Sequence, residues 1–573
     1  MNGAHRAPAG AFSPAALSAE VMTGYLARQR WSGARAAPPT AVRVETVLAL
    51  DAPAFAAAAP AALALVHATV GGQPVRYQLP LVSRPSAGLA DGVTDGMTDV
   101  VSRIEQPPAA VLDATLDPAF RLGLLDALAR GVTIASGPLR WHAAPLDAEG
   151  AALLAAVRDQ LGAAAAPAHG SRVLGAEQSN TSLVFGDAVI VKLFRRLEPG
   201  DHPDVEIGRV LARRGFAHVP RLLGTCVVED AGGTSVAAMA QQVVPGAADA
   251  WAHAVAQAMA CTLAADEDDA RAAAAAHAAE AARLGRVTRA LHDALAAAGQ
   301  EPELHEAFGA RAAGASDVAR WATAARRSLA GALDAAAAAG TAMAASSTGD
   351  GAHALREFVA RRAAIDQAIA AAAAAVGDDA GAMIRHHGDY HLGQVLRGAD
   401  GALFVIDFEG EPARPLAERR ARHAPLRDVA GMLRSYGYAA ATAARAVAEA
   451  SAGAEPPQAA RLAHWEAEAR AGFLAGYLDA DFDASGLEGA DRPPRTAGVP
   501  AGVHGAAYLP RARVAVDALV RLFELEKLSY EVRYELENRP SWLAIPVTGL
   551  ARLLDHPALD RAGAAVGAHT DTA

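Results

Sequence analysis

One short segment, residues 386–412, constrains the fold of this chain more than any other part of its sequence. It reads HHGDYHLGQVLRGADGALFVIDFEGEP, and its apolar run LFVI predicts a strand of a small β-hairpin. Asp389 lies before the hairpin, Gln394 follows five residues later, and Asp407 comes directly after the apolar run LFVI. Carboxylate and amide oxygens are hard ligands that suit Mg²⁺. The segment therefore predicts a site for a hard divalent cation.

The same spacing resembles the catalytic core of protein-kinase-like enzymes. In those enzymes the first aspartate accepts the proton of the acceptor hydroxyl, while the amide and the second aspartate hold Mg²⁺ on the phosphates. This implies that Asp389 is the catalytic base and that Gln394 and Asp407 are metal ligands. An isolated His-Gly-Asp is common in turns, so the prediction of phosphotransfer depends on the joint spacing and on a lysine further upstream.

That lysine is informative because lysine is scarce here. Lys192 and Lys527 are the only lysines among the 52 lysine and arginine residues. The composition is rich in alanine and arginine, which suggests a bias towards GC-rich codons. Lys192 lies in TSLVFGDAVIVKLFRR, where Gly-Asp between alternating apolar runs predicts a hairpin. Glu206 opens the next predicted helix, residues 203–215. In kinases a strand lysine and a helix glutamate form the ion pair that positions the nucleotide phosphates. The alternative is a surface lysine with an unrelated glutamate at a helix N-terminus.

The remaining nucleotide contacts are predicted from position alone. No glycine-rich G-x-G-x-x-G loop precedes Lys192, and the segment GAEQSNTS, residues 175–182, stands in that place. Ser179, Asn180 and the backbone amides around them are candidates for contact with phosphate. The segment QQVVPG, residues 241–246, lies where the hinge of a kinase would fall. Backbone groups of Gln242 to Val244 are therefore candidates for adenine binding.

Several longer segments resemble one family, the bacterial maltokinases, including the maltokinase part of trehalose synthase fusions. The segment RWSGARA resembles the N-terminal cap of that family. The other matching segments are EQSNTSLVFGDAVIVKLFRR, HPDVEIGRVLARRGFAHVPRLLG, HGDYHLGQVL, IDFEGEPARPLAERRARHAPLRDVAGMLRSYGYA and LFELEKLSYEVRYELENRPSWLAIP. The family belongs to the aminoglycoside-phosphotransferase branch of the kinase-like fold. The resemblance extends over almost the whole chain.

This resemblance implies an α+β, bilobal, protein-kinase-like fold with an N-terminal cap subdomain and a large, mainly helical C-terminal lobe. We expect the cap at residues 1–110, the nucleotide-binding sheet at 111–245, and the catalytic loop and sugar pocket at 246–573. The implied reaction is ATP- and Mg²⁺-dependent phosphorylation of maltose at its anomeric hydroxyl, giving maltose 1-phosphate. Association with trehalose synthase is a further expectation. The resemblance also implies that His387 and Asp428 support the catalytic loop.

The second lysine falls where the family places its sugar. Lys527, Tyr530 and Tyr534 share one helix face by their spacing of three and seven residues. Aromatic rings pack on the CH groups of sugars, and their hydroxyls form hydrogen bonds with sugar hydroxyls. The alternative is an amphipathic helix that packs two tyrosines into the core. A cation in the pocket favours a neutral sugar over an amino sugar.

Composition narrows the remaining possibilities. The net charge is −11 without a basic block, which argues against nucleic acid as a partner. No strongly apolar run of about 18 residues is present, so no membrane segment is expected. Two cysteines, Cys226 and Cys261, fit a reducing cytosol, and we expect a cytoplasmic protein. Two alternatives to a maltokinase stay open. One is a glucosamine kinase or another small-molecule kinase, and the other is a non-catalytic kinase-like subunit that binds trehalose synthase.

The first prediction concerns the scarce lysine. Lys192→Arg keeps the charge but replaces a compact ammonium group with a planar, forked guanidinium. We expect kcat for phosphotransfer to fall at least tenfold, roughly 1.4 kcal/mol of transition-state stabilisation. Steady-state assays of ADP release measure the effect, and near-normal kcat would show that the scarcity of lysine carries no functional meaning.

Overall fold

The computed structural model describes residues 12, 16–33, 38–58, 60–85, 100–104, 109–163, 170–174, 180–343, 350–411, 414–450, 456–478 and 508–555. The chain divides into two compact units. The first comprises Met1–Ala212 and Pro220–Pro245, and the second comprises Arg213–Val219 and Gly246–Ala573. The three-part division expected from the sequence stays a prediction. Among the described residues, no helix is long and apolar enough to cross a membrane.

The first unit contains two antiparallel sheets, one of five strands in the order β1-β2-β3-β5-β4 and one of seven in the order β6-β7-β11-β12-β10-β9-β8. Its described helices are α1 (Ala19–Arg28), α2 (Pro118–Arg130), α3 (Ala148–Gly162) and α4 (Pro203–Arg213). Its described strands are β1 (Thr40–Ala49), β2 (Ala61–Val70), β3 (Gln73–Pro85), β4 (Val100–Ile104), β5 (Ala109–Asp113), β6 (Thr133–Ser136), β7 (Leu139–Pro145), β8 (Ser171–Val173), β9 (Asn180–Phe185), β10 (Val189–Phe194), β11 (Leu222–Asp230) and β12 (Gly233–Gln242).

The second unit is mainly helical, with two small sheets. Its described helices are α5 (Ala250–Thr262), α6 (Glu267–Ala298), α7 (His305–Phe308), α8 (Ala315–Met343), α9 (Asp350–Ala360), α10 (Arg362–Val376), α11 (Leu416–Arg419), α12 (Leu426–Ala450), α13 (Pro456–Leu478), α14 (Arg513–Asn538) and α15 (Ala544–Asp555). Its described strands are β13 (Ala248–Asp249), β14 (Arg311–Ala312), β15 (Ala382–Met383), β16 (Val395–Arg397) and β17 (Leu403–Val405).

The predicted hairpins are confirmed. Strands β9 and β10 pair around a turn in which Gly186 has a φ of 55°, the left-handed conformation that glycine adopts without strain. Strands β11 and β12 pair next to them, and β16 pairs with β17 within residues 386–412. The lysine of β10, Lys192, lies between Ser182 on β9 and Met239 on β12. It is therefore held in the interior of the seven-stranded sheet.

Strand β2 was not predicted from the sequence. Its sequence, AALALVHATV, is rich in alanine, which favours helix, and it lacks the alternation of a half-exposed strand. The structure places it between β1 and β3, with its first six residues all buried. Burial of both faces removes the period-two pattern from the sequence.

A buried ion pair joins the two sheets of the first unit. The guanidinium of Arg195, which follows β10, lies 2.8 Å from the Oδ2 atom of Asp113 on β5, and both side chains are almost completely buried. The hydroxyl of Tyr25 donates to the same oxygen at 2.7 Å. The guanidinium carbon of Arg195 also lies 4.8 Å from the ring centre of Trp31. Because neither charged group is exposed to water, the stability of each buried charge depends on the opposite charge of the other.

Asp113→Ala is therefore expected to destabilise the protein by about 3–5 kcal/mol, since it leaves the buried charge of Arg195 without its carboxylate. Urea unfolding of the full chain measures the change. The control is Arg43→Ala, which removes an ion pair with Glu45 at 3.3 Å from an arginine that is 63% exposed. That change should stay within about 0.5 kcal/mol. Equal effects of the two substitutions would contradict the importance of the buried pair.

Candidate active site

The loop that carries Asp389 is held by a buried carboxylate. Asp428, in the first turn of α12, is 1% exposed and accepts the backbone N–H of His387 at 2.7 Å and of Gly388 at 3.0 Å. Charge-assisted bonds of this kind are stronger than bonds between neutral groups. Gly388 has a φ of 89°, which a side chain would strain, so the loop turns sharply just before Asp389. The structure thus brings the predicted supporting residue against the predicted catalytic loop.

The ring of His387 connects this loop to the strand that precedes Asp407. Its Nε2 atom donates to the carbonyl of Ile406 at 2.9 Å, and its Nδ1 atom accepts the N–H of Asp389 at 3.4 Å. One donor and one acceptor are the bonding pattern of a neutral imidazole. His387 therefore connects the predicted catalytic base, Asp389, to the strand that leads to the predicted metal ligand Asp407.

A further histidine completes the support and was not predicted from the sequence. His292 on α6 is fully buried, and its Nε2 atom lies 3.1 Å from the Oδ2 atom of Asp428. Its Nδ1 atom lies 2.9 Å from the hydroxyl of Tyr477 on α13. Since His292 and Asp428 are 136 residues apart, no local pattern could have joined them.

The two predicted metal ligands lie side by side. The Nε2 atom of Gln394 donates to the Oδ2 atom of Asp407 at 3.0 Å, which directs the amide oxygen of Gln394 away from that contact. Asp407 has a φ of 68°, an uncommon conformation for a residue other than glycine, and such strain is often found at functional sites. The pair offers only carboxylate and amide oxygens, and this donor set fits Mg²⁺. Its role as a metal site stays a prediction.

Lys527, on α14, lies among carboxylates. Its Nζ atom is 3.4 Å from the Oδ1 atom of Asp389 and 3.6 Å from the Oε1 atom of Glu411. Burial would raise the pKa of Glu411, but the charges of Lys527 and Arg427 outweigh it and lower the pKa to about 2. The pKa of Lys527 is raised, since Asp389 and Glu411 overcome the opposite effect of burial. Glu411 was not predicted from the sequence, because nothing local distinguishes it from a surface glutamate.

The residues around this lysine form a concave site with more negative than positive charge. Arg427 binds Glu526 through two hydrogen bonds, of 2.7 and 3.0 Å, and also lies 3.9 Å from Glu411. The lining includes three carboxylates against two cations; it consists of Gly388, Asp389, Tyr390, Glu411, Arg427, Asp428, Gly431, Phe523 and Lys527. Most of the positive charge is therefore compensated by the protein itself.

The two tyrosines predicted to bind sugar follow Lys527 along α14. The Nζ atom of Lys527 lies 5.5 Å from the ring centre of Tyr530. The rings of Tyr530 and Tyr534 are stacked at 6.3 Å with an angle of 24° between their planes. Tyr534 is 38% exposed, so the core-packing alternative does not hold for this side chain. Sugar binding by either tyrosine stays a prediction.

The candidate nucleotide residues lie in the first unit. The Nζ atom of Lys192 is 3.4 Å from the Oδ2 atom of Asp204, a buried carboxylate in the first turn of α4. Glu206, the predicted partner of Lys192, lies in the same helical turn as Asp204 and is partly buried. Its ion pair with Lys192 stays a prediction. Asp204 could have been considered from its spacing, since it stands two residues before Glu206.

The other predicted nucleotide contacts are placed as follows. Asn180 begins β9 and pairs with Phe194 on β10. Gln242 ends β12 with an exposed side chain, and Val244 is buried just beyond it. Ser179 lies outside the described residues. Nucleotide binding by these residues stays a prediction.

Comparisons with known proteins agree with this fold. A family model described as the maltokinase N-terminal cap domain matches residues 25–117. Glucosamine kinase from Mycolicibacterium smegmatis is 31% identical over 394 residues, which cover 68% of this chain and 80% of that protein. Glucosamine kinase from Streptacidiphilus jiangxiensis is 32% identical over 333 residues, but the match spans only 65% of its length and 55% of this chain.

Solved structures show the same architecture. A structure described as glucosamine kinase in complex with glucosamine, ADP and inorganic phosphate has a TM-score of 0.55 at 24% identity, covering 93% of this chain and 99% of that chain. The fold is therefore an α+β, bilobal, protein-kinase-like fold with an N-terminal cap, as the sequence predicted. The chain belongs to the maltokinase-like family of kinases that includes these glucosamine kinases.

The position of Lys527 generates a prediction about acid stability. Lys527→Met removes the positive charge that lies beside Glu411. Burial should then raise the pKa of the Glu411 carboxyl from about 2 towards or above its ordinary 4.5. In the wild type, folding lowers the pKa of Glu411, so the ionised carboxylate stabilises the folded protein. This contribution is fully present above pH 4.5 and is lost as the pH falls towards 2. The variant should therefore lose less of its stability than the wild type over this range.

Urea unfolding at a series of acidic pH values compares the two proteins. Lys527→Arg keeps the positive charge and should behave as the wild type does. If Lys527→Met lost as much stability as the wild type on acidification, the coupling between Lys527 and Glu411 would be disproved.

Proposed function

We propose that this protein is an ATP-dependent kinase that transfers the γ-phosphoryl group of ATP to a hydroxyl of a small sugar. The observation that carries this proposal is the arrangement around Asp389, whose loop is fixed by Asp428 and His387 beside the pair of Gln394 and Asp407. The same parts carry out phosphotransfer in protein-kinase-like enzymes. Their presence in one unit argues against a non-catalytic subunit.

The proposed roles follow from the chemistry of each group. Asp389 accepts the proton of the sugar hydroxyl as that oxygen forms a bond to the γ-phosphorus and the bond to ADP breaks. Lys192 binds the phosphates of the nucleotide as a compact charge positioned by Asp204. Gln394 and Asp407 would hold Mg²⁺, which when bound neutralises charge on the phosphates. Lys527 positions Asp389 through the contact at 3.4 Å.

Electrostatics favour an amino sugar as the acceptor, with glucosamine as the proposed substrate. The sequence suggested a neutral sugar, because Lys527 would place a cation in the pocket. In the structure that cation lies against Asp389 and Glu411, and the lining has a surplus of carboxylates. Glu411, with its pKa of about 2, is ionised at neutral pH and can bind an ammonium group. The two curated relatives described above are glucosamine kinases.

Maltose is the second candidate acceptor. It is favoured by the match of residues 25–117 to the maltokinase N-terminal cap domain. In that case the product would be maltose 1-phosphate, and the stacked rings of Tyr530 and Tyr534 offer a surface for the second glucose ring. Association with trehalose synthase stays a prediction.

The decisive assay incubates the purified protein with ATP, Mg²⁺ and either glucosamine or maltose, and follows ADP release. We expect turnover with glucosamine to exceed turnover with maltose. Asp389→Asn should abolish turnover while nucleotide binding, measured by calorimetry, is retained. Absence of turnover with every sugar would disprove the proposal, and activity of Asp389→Asn would disprove the assignment of the base.

Glu411→Gln tests the choice of substrate. We expect the KM for glucosamine to rise at least tenfold, since a charge-assisted bond contributes roughly 1.5–3 kcal/mol. The matched control is Glu418→Gln on α11, because that carboxylate is 60% exposed. It should leave KM unchanged. If Glu411→Gln left the KM for glucosamine unchanged too, Glu411 would not be the group that recognises the amine.

A further inference from the structure

A second group of side chains suited to metal binding lies away from the catalytic loop. It consists of His253 on α5 with His277 and Glu280 on α6, and one donor atom from each lies within 4.8 Å of the others. The Nε2 atom of His253 is 2.8 Å from the Oε2 atom of Glu280, and the Nδ1 atom of His277 is 3.9 Å from the same oxygen. The spacing of three residues on α6 places His277 and Glu280 on one face of that helix.

The environment of His277 needs an explanation. Its side chain is 4% exposed, and neither ring nitrogen has a hydrogen-bond partner, although buried polar groups in proteins are nearly always bonded. The ring is stacked on Trp465 at 4.7 Å with an angle of 21° and contacts the edge of Tyr436 at 6.0 Å. These two rings fix its plane. Burial also lowers the pKa of His277 to about 4, so the imidazole is neutral at physiological pH, as a metal ligand must be.

Glu280 is oriented from the opposite side. The Nε atom of Arg397, at the end of β16, donates to the Oε1 atom of Glu280 at 2.8 Å. The other carboxylate oxygen, Oε2, therefore faces the two histidines. Burial would raise the pKa of Glu280, but Arg397 and His253 outweigh it and the pKa is lowered. A carboxylate that ligates a metal is commonly held by a hydrogen bond of this kind.

We propose that His253, His277 and Glu280 form a binding site for a divalent transition-metal ion, with Zn²⁺ the best match. Two imidazoles and one carboxylate form a known zinc ligand set, with a fourth position for water. Ligand bonds of about 2.1 Å in a tetrahedron separate the donor atoms by about 3.4 Å. The Oε2 atom of Glu280 lies 2.8 Å from the Nε2 atom of His253 and 3.9 Å from the Nδ1 atom of His277. These distances lie on either side of that value, so small side-chain movements suffice to bind the ion.

The proposed ion would connect three elements of the second unit. It would fasten α5 to α6 and, through Glu280 and Arg397, to β16, the strand that directly follows Gln394. Nitrogen ligands favour zinc, whereas the oxygen ligands of Gln394 and Asp407 favour magnesium. The two sites can therefore be distinguished by the choice of metal. The proposal does not depend on the reaction that the protein catalyses.

The test uses the full chain, stripped of metal with a chelator and titrated with Zn²⁺ by calorimetry in the presence of excess Mg²⁺. We expect one Zn²⁺ to bind per chain and Co²⁺ to give the visible absorption of a tetrahedral site. His277→Phe keeps a ring to stack on Trp465, and His253→Gln changes a side chain that is only partly buried. Each should weaken Zn²⁺ binding more than tenfold, since even outer hydrogen-bond partners of a metal ligand typically contribute about that much.

His464→Gln is the matched control, because it removes an exposed histidine of α13 directly beside Trp465. It should bind Zn²⁺ as the wild type does. Absence of Zn²⁺ binding to the wild type would overturn the proposal, as would equal affinity in the wild type and His253→Gln. Circular dichroism shows whether each variant is folded, and His253→Gln decides the test if His277→Phe is not.

Discussion

The candidate site depends first on one buried carboxylate, that of Asp428. It accepts two backbone N–H groups of the loop that precedes Asp389 and contacts His292 on a separate helix. A buried charge is stable only when its hydrogen bonds are satisfied, so the loop, α6 and α12 are held in one arrangement. His387 then extends that arrangement to the carbonyl just before Asp407. The loop that contains Asp389 and the end of the strand before Asp407 are thereby held together.

Charge compensation is the second organising principle. Lys527 and Arg427 lie among Asp389, Glu411 and Glu526, and the contacts at 3.4, 3.6 and 2.7 Å leave little positive charge for a ligand. In the first unit, the Nζ atom of Lys192 lies 3.4 Å from the Oδ2 atom of Asp204, which positions this lysine. Each of the two lysines therefore has a buried or partly buried carboxylate beside it. A rare residue type at two such positions is consistent with a requirement for a compact charge.

Much of the fold was predictable where the signal is local. The hairpins β9–β10 and β16–β17 follow from turn residues between apolar runs, and the spacing of Asp389, Gln394 and Asp407 reflects a short loop and one hairpin. Strand β2 was missed because burial on both faces removes alternation. His292 and Glu411 were missed because their roles depend on neighbours that a local pattern does not reveal, whereas the spacing of Asp204 from Glu206 was a local signal that was overlooked.

By itself the sequence determined the kinase-like class, and it predicted the segment for catalysis and functional roles for the two lysines. Short-range spacing encodes these features, since a hairpin or one turn of helix fixes the relative positions of nearby residues. Only the tertiary structure decided which charges meet. It placed Lys527 against Asp389 and brought His253 to His277 and Glu280 across two helices. Such contacts arise from packing between distant segments, and the order of residues along the chain does not specify them locally.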